Sequence, residues 1–481
     1  MEKSPAYNPF YWLVGLIFIA NLLLFNDWLS WQPLAEIELL GVASENQSGW
    51  LPGLIQHTFL KQAIYKPFLI RLPSVLLLLI TFRLMYAFGK PLFGTKRIIN
   101  SLLVLSVSWM ILPIGKLASA DSLLFSGLIL ALLCALHFLK SGQKKWRYGH
   151  FAFLLIAFWT NPWVTSLVLL LFDQVVYITH PTGKRILQLW HWAILPVLFL
   201  GTWLCGGFPF PQEWFYADLL NGYIGRYAAW NMLGVLPFWG FLFAGLWQAF
   251  SNLRKGEEWA KLILAFLIAG LFFGPLLQFA FSLAIARSLD DYAHPNYPYR
   301  SIVRGFSLLG LLSVFCLGAL GMLNGFYWLQ ASGFRAAMAI CIGFWVPYFF
   351  AILGLWSLRE GQYRNMAVLA GGVSFFFLLV QFMPIYEGLH SWQKDIPNQI
   401  STSGYTTLQI GGAAPGKSFE YYANRKELQL QAINSLSTNG IRKDWPLLVD
   451  SVAIQRINVN SWSTIDTFPD INTWWYLLLP E

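Results

Sequence analysis

The sequence predicts an all-α polytopic membrane protein of about 11 to 13 transmembrane helices with a small C-terminal α/β or β domain. Three observations predict it. Of the 481 residues, 57% are hydrophobic and only 11% are charged, against about 25% charged in soluble domains. Apolar runs of roughly span length recur as far as Met383. After Met383 the chain changes to short β-branched or alternating runs separated by Gly, Pro and Asn, which is strand-and-turn patterning.

The runs follow in order: Tyr11 to Phe25, Leu72 to Phe88, Ile98 to Ile114, Ser122 to Leu139, Phe151 to Ile178 and Leu187 to Cys205. Then come Met232 to Phe250, Leu262 to Ile285, Gly305 to Leu323, Ala337 to Leu355 and Val368 to Met383. Phe151 to Ile178 is too long for one untilted span, and Asn161-Pro162 interrupts it, so it reads as two short helices or one broken helix. Leu262 to Ile285 reads as a single span. No small-residue cleavage site follows the first run, so it is span one and not a removed signal. Residues 1–383 form the membrane domain, with outside loops at 27–66 and 205–231, and residues 384–481 form the C-terminal domain.

The net charge of +9 is no nucleic-acid footprint. The cations sit in short loops: Lys90, Lys96 and Arg97; Lys140, Lys144, Lys145 and Arg147; Lys184 and Arg185; Arg254, Lys255 and Lys261. Such loops lie on the cytoplasmic side of a bacterial inner membrane. The N-terminus is then cytoplasmic and the C-terminal domain extracytoplasmic. Walking the runs forward, the parity of crossings works only if one long run contributes an extra crossing or a re-entrant piece. Cys134, Cys205, Cys316 and Cys341 lie in or beside apolar runs without metal-site spacing, and read as small packing residues. HExxH and GxSxG patterns do not occur. Nucleotide hydrolysis, metalloprotease and α/β-hydrolase chemistry draw no support.

Four places concentrate polar groups. Glu36 and Glu38 follow span one, where a tuned carboxylate can serve as a general base. Asp121 opens a span, with Lys116 five residues before it; the ordinary role of an Asp there is to cap the helix and meet its dipole. Arg226 stands in an aromatic loop, where it could grip a phosphate bidentately. The fourth place is DDYAHPNYP, residues 290–298, followed by Tyr299, Arg300 and Arg304. A turn explains its prolines but not so many polar side chains at once.

These places together resemble the GT-C superfamily of integral membrane glycosyltransferases, nearest to its bacterial aminoarabinose transferase and protein O-mannosyltransferase group. The resemblance covers roughly residues 10–330 and rests on local motifs in order. Glu36, Glu45 and SGWLPG (48–53) follow the spacing of the family's first outside loop, which contains an amphipathic helix. RLPSVLLLL from Arg71 is similar to the opening of its second span, and Asp121 falls on its second acidic residue. Tyr292 to Pro298, YAHPNYP, is similar to its Tyr-x-x-Pro-x-Tyr-Pro on the outer face. Four departures stand beside them. Ala35 precedes Glu36 where the family has Asp-Glu, Lys66-Pro67-Phe68 reduces a Lys-Pro-Pro, Asn161-Pro162 replaces a Lys-Gly, and Arg287 stands one residue from a family Lys.

The resemblance implies transfer of a sugar from a polyprenyl-phosphate carrier to an envelope glycan, lipid or protein on the outer face. It implies Glu36 as base, supported by Glu38 or Asp121. The departing phosphate would be neutralised by cations, among Arg71, Lys116, Arg226, Arg287 and Arg300, or by a divalent metal. Tyr292, His294 and Tyr297 would shape the carrier cavity. The departures leave two other readings open. One is a catalytically degenerate relative serving as a membrane scaffold for an envelope protein partner. The other is a lipid or small-molecule transporter, which the broken run at Asn161-Pro162 suits and the scarcity of ionisable residues mid-span does not.

Overall fold

The computed structural model describes residues 9–23, 67–108, 110–116, 121–180, 182–204, 231–292, 294, 296–313, 316, 363–373, 392–411, 419–420, 423, 426–433, 445–450, 452–454, 462–469 and 474–480. Glu36, Glu38, Glu45 and Arg226 lie outside the described residues. The chain divides into two compact units. One holds the described residues up to 373, the other those from 392.

The first unit is helical. Its helices are α1 (Pro9–Leu23), α2 (Pro67–Phe93), α3 (Thr95–Ser106), α4 (Ile111–Lys116), α5 (Asp121–Ser141), α6 (Lys144–Thr160) and α7 (Pro162–Thr179). After these come α8 (His191–Leu204), α9 (Trp239–Leu253), α10 (Glu258–Gly270), α11 (Gly274–Tyr292), α12 over 300–313 and α13 over 363–373. Among the described residues, Arg71–Phe93, Asp121–Ser141 and Pro162–Thr179 are long and apolar enough to cross a membrane.

Lipid offers no hydrophobic force between helices, so small residues and interhelical hydrogen bonds hold them. α2 and α5 run parallel and are pinned along their length. Ser122 Oγ donates to Ser74 at 3.3 Å, Thr81 meets Ser126 at 2.6 Å, and a His137 ring nitrogen lies 2.6 Å from the Phe88 carbonyl. Ser101 of α3 meets Ser282 of α11 at 2.5 Å. At Gly245 of α9 the backbone of Ala284 in α11 comes so near that an added Cβ would overlap the Ala284 carbonyl. Gly245→Ala is therefore expected to destabilise by about 1–3 kcal/mol, as overpacking does. Thermal unfolding in detergent measures this, and an unchanged midpoint would show that the two helices part without cost.

The run 151–178 is two helices. Asn161 ends α6, and its side chain accepts from the Val164 amide at 3.1 Å to cap α7, with Pro162 in the first turn. The run 262–285, read as one span, is also two helices. α10 ends at Gly270, and α11 starts at Gly274-Pro275. The run therefore contributes two helices in place of one.

The second unit is a mixed sheet with a helix, so of the α/β and β readings of the tail the first applies. β1 (Thr407–Gly411) pairs in parallel with β2 (Gln429–Ile433) and β3 (Leu447–Asp450). β5 (Trp474–Pro480) runs antiparallel to β3 and to β4 (Trp462–Pro469), giving the order β2-β1-β3-β5-β4. Ile396 and Ile400 of the helix Trp392–Thr402 pack on Leu408, Ile410, Leu448 and Leu477. The central β1 and β3 are almost wholly buried, as strands with neighbours on both edges are.

Candidate functional site

The stretch at 290–300 closes one end of the helical unit. Asp290 receives the Asn100 amide at 2.9 Å and faces Lys96 at 3.5 Å and Arg97 at 3.7 Å, all from the first turns of α3. Asp291 pairs with Arg287 at 3.0 Å and receives the Gln248 amide of α9 at 2.5 Å. Arg364 of α13 donates to Asn100 Oδ1 at 3.1 Å and lies over the rings of Phe10 and Tyr11 in α1. After α11 the chain turns on its prolines. The His294 amide donates to the Asp291 carbonyl at 3.0 Å, and Arg300 donates to the His294 carbonyl at 3.1 Å while lying over Tyr292. Tyr297 meets Ser288 at 2.9 Å, and burial pushes its phenol up to about 12, so it stays protonated. The polar residues of this stretch thus tie five helices together.

The same contacts fix which end of the bundle the stretch occupies. The carboxylates at 290–291 sit against Lys96 and Arg97, and the loop ends at 140–144 and 185 lie at that end too. Lys140 donates to the Pro91 carbonyl at 3.2 Å, and Arg185 to the Leu139 carbonyl at 3.2 Å. The stretch is therefore at the basic end of the bundle. The resemblance implies an outer-face position for Tyr292, His294 and Tyr297; the contacts group them with Arg287 and Arg300 at the basic end of the bundle.

Arg71 and Asp121 are at the opposite end. The 23 residues Arg71–Phe93 rise about 33 Å at about 1.5 Å per residue, and α3, with Lys96, begins beyond their far end. Arg71 is buried at 1% exposure, one turn before Ser74. Ser74 contacts Ser122, so Asp121, exposed as the first residue of α5, comes to the same end. Lys116 ends α4 just before it; its side chain lies outside the described residues. The eleven candidate residues are thus not one cluster. Arg71, Lys116 and Asp121 gather at one end, Arg287 to Arg300 at the other.

Sequence reasoning missed a buried chain of ionisable groups. Asp173 of α7 lies 2.5 Å from His191 Nε2 and receives the Trp192 indole N–H at 2.7 Å. His191 Nδ1 lies 3.2 Å from His150 Nε2, and His150 Nδ1 lies 2.9 Å from the Ala131 carbonyl. Both histidines are fully buried. A carbonyl only accepts, so His150 carries its proton on Nδ1, and with the ring neutral its Nε2 accepts. His191 Nδ1 then donates to His150, and one more proton lies in the short bond between His191 Nε2 and the Asp173 carboxyl. The sequence signal was Asp173 itself, an ionisable residue inside an apolar run.

Two further patterns carry less. Gly411 to Ser418, GGAAPGKS, has the G-x-x-x-x-G-K-S spacing of phosphate-binding loops and follows β1. Residues 412–418 lie outside the described residues, and a turn at 426–427 follows the helical residues Phe419, Glu420 and Ala423. A phosphate loop leans on the N-terminus of a sustained helix, so the spacing alone assigns no nucleotide chemistry. Among the described residues no group of three or more His, Cys, Asp or Glu is placed to hold a metal ion.

No family model matches the sequence, and no curated protein matches it either. The fold does have solved neighbours. The structure of ArnT from Cupriavidus metallidurans in the apo state superposes with a TM-score of 0.62 at 16% identity, over 98% of this chain and 97% of that one. The structure of the same protein bound to undecaprenyl phosphate gives 0.58 at 15% identity, with the same coverage. ArnT is an aminoarabinose transferase of the GT-C type. The chain therefore has the fold of these ArnT structures, built from a divergent sequence.

Proposed function

We propose that the protein is a membrane glycosyltransferase that takes a sugar from a polyprenyl-phosphate carrier at the end of the bundle holding Arg71, Lys116 and Asp121. The observation that carries this reading is the likeness to ArnT over nearly the whole chain, including a form with bound undecaprenyl phosphate. The placement of a buried cation, Arg71, and a carboxylate, Asp121, at the same bundle end supports it. This end faces out of the cytoplasm of a bacterial inner membrane.

In this reading a carboxylate, Glu36 or Asp121, takes the proton of the acceptor hydroxyl. The acceptor oxygen forms a bond to the anomeric carbon as the bond from that carbon to the phosphate oxygen breaks. The electron pair stays on the polyprenyl phosphate, where Arg71, Lys116 and Arg226 neutralise it. Glu38 supports the base. Arg287, Tyr292, His294, Tyr297 and Arg300 take no part.

Native mass spectrometry of the detergent-purified chain with undecaprenyl phosphate tests the carrier site. Wild type is expected to retain the lipid in preference to uncharged undecaprenol, and Lys116→Gln to retain less. Equal retention of the two lipids would overturn the reading and favour the degenerate scaffold with an envelope protein partner. Asp121→Asn is expected to keep lipid retention and lower transfer from membrane-borne donors by about 10²–10⁴-fold, the usual share of a general base. Unchanged transfer would remove Asp121 from the chemistry.

A further inference from the structure

We infer that the basic end carries a second lipid site, separate from the Arg71 end, for a phospholipid whose head joins a phosphodiester to a primary ammonium. A cavity of ≈ 330 Å³ opens between the end of α2, the starts of α3 and α10, and the last turns of α11. That volume suits a small head group. Its lining combines Arg97 and Arg287, Glu257 and Glu258, the Trp259 indole, and apolar residues such as Leu262.

The charges are arranged for a zwitterion. Arg97 and Arg287 each engage a carboxylate through Nε, Asp290 at 3.7 Å and Asp291 at 3.0 Å. Among the described residues no other pairing of their guanidinium nitrogens is seen, and the Nη edges that grip phosphate oxygens remain available. Arg287 is also held over the Trp259 ring, 5.0 Å from its centroid, which fixes the fork at the cavity wall. Trp259 Nε1 donates to Glu257 and orients that carboxylate. Two cations and two carboxylates give the lining no net charge. An anionic head would meet the phosphate cations but be repelled by Glu257 and Glu258. A quaternary ammonium has no N–H to offer them. A primary ammonium has three donors and matches both halves. The position is at head-group depth: Glu257 and Glu258 stand at the start of α10, and the apolar lining runs into the helix behind them.

The test is native mass spectrometry of the full chain with equimolar phosphatidylethanolamine, phosphatidylcholine and phosphatidylglycerol. Wild type is expected to retain phosphatidylethanolamine about fivefold over either other lipid, as partly exposed charge pairs allow. Glu257→Gln with Glu258→Gln is expected to level it with phosphatidylcholine, and Arg97→Gln to lower retention of all three. Undecaprenyl phosphate at the same concentration is expected to leave phosphatidylethanolamine bound. Equal retention of the three lipids by wild type would overturn the proposal, as would a preference that survives the double Gln change. Displacement by undecaprenyl phosphate would overturn it too, by making the cavity a carrier site.

Discussion

Asp173→Leu is expected to lower stability by about 3–5 kcal/mol, the cost of leaving one member of a buried ion pair uncompensated. The variant removes the carboxylate that accepts from His191 Nε2 and from Trp192 Nε1. Leucine fills the volume, so the loss is electrostatic and not a cavity effect. His191 cannot escape by rotation, because its other nitrogen is held by His150, itself held by the Ala131 carbonyl. Asp173→Asn keeps an acceptor for the indole but removes the charge, and should cost about 1–3 kcal/mol. The ranking of the two variants in thermal unfolding is the diagnostic. If leucine costs no more than asparagine, the bond between Asp173 and His191 contributes no ion-pair energy to the folded protein.

The second large effect is nearly all-or-none. With the cysteines at 134, 205, 316 and 341 replaced, Asp121→Cys is expected to react with an impermeant maleimide in intact cells, and His294→Cys only in inverted vesicles. Both positions are exposed, so reactivity reports the side and not burial. The expectation joins two independent facts. Asp290 and Asp291, just before His294, are bound to α3 and α9 at the basic end. The α2 helix, over about 33 Å, separates that end from Arg71 and Asp121. The basic loops then set the direction. Labelling of both positions from one side would break the two-ended arrangement. Reversed labelling would keep the arrangement and invert the protein in the membrane.

Much of the architecture was legible in the sequence because lipid demands long apolar helices and writes them plainly. Asn161-Pro162 announced its break, since proline cannot continue a helix and asparagine caps the next one. The break at 271–273 was equally written, in Gly274-Pro275, a strong turn dipeptide. Uniformly apolar flanking residues mask it, so the run reads as one span where the chain forms two helices. The polar residues of DDYAHPNYP stand out in the sequence. Their partners, Asn100, Gln248 and Arg364, are distant in sequence, and no local pattern links them. The histidines at 150 and 191 are joined only by the packing of α6 against α7 and α8. Motif order found the fold, but order carries no depth, and so could not tell which motifs share a membrane face.

Asn100 has a consequence for how the chain is made. One side of its amide donates to Asp290, and the other accepts from Arg364. Asn21 of α1 likewise donates to the Gly372 carbonyl at 3.1 Å. The earliest helix is therefore completed by one of the latest. During synthesis Asn100 waits with one half of its amide unmatched until residue 364 has left the ribosome. A chain released before that point keeps an open seam along α1 and α3, and membrane quality control would meet it as an unfinished protein.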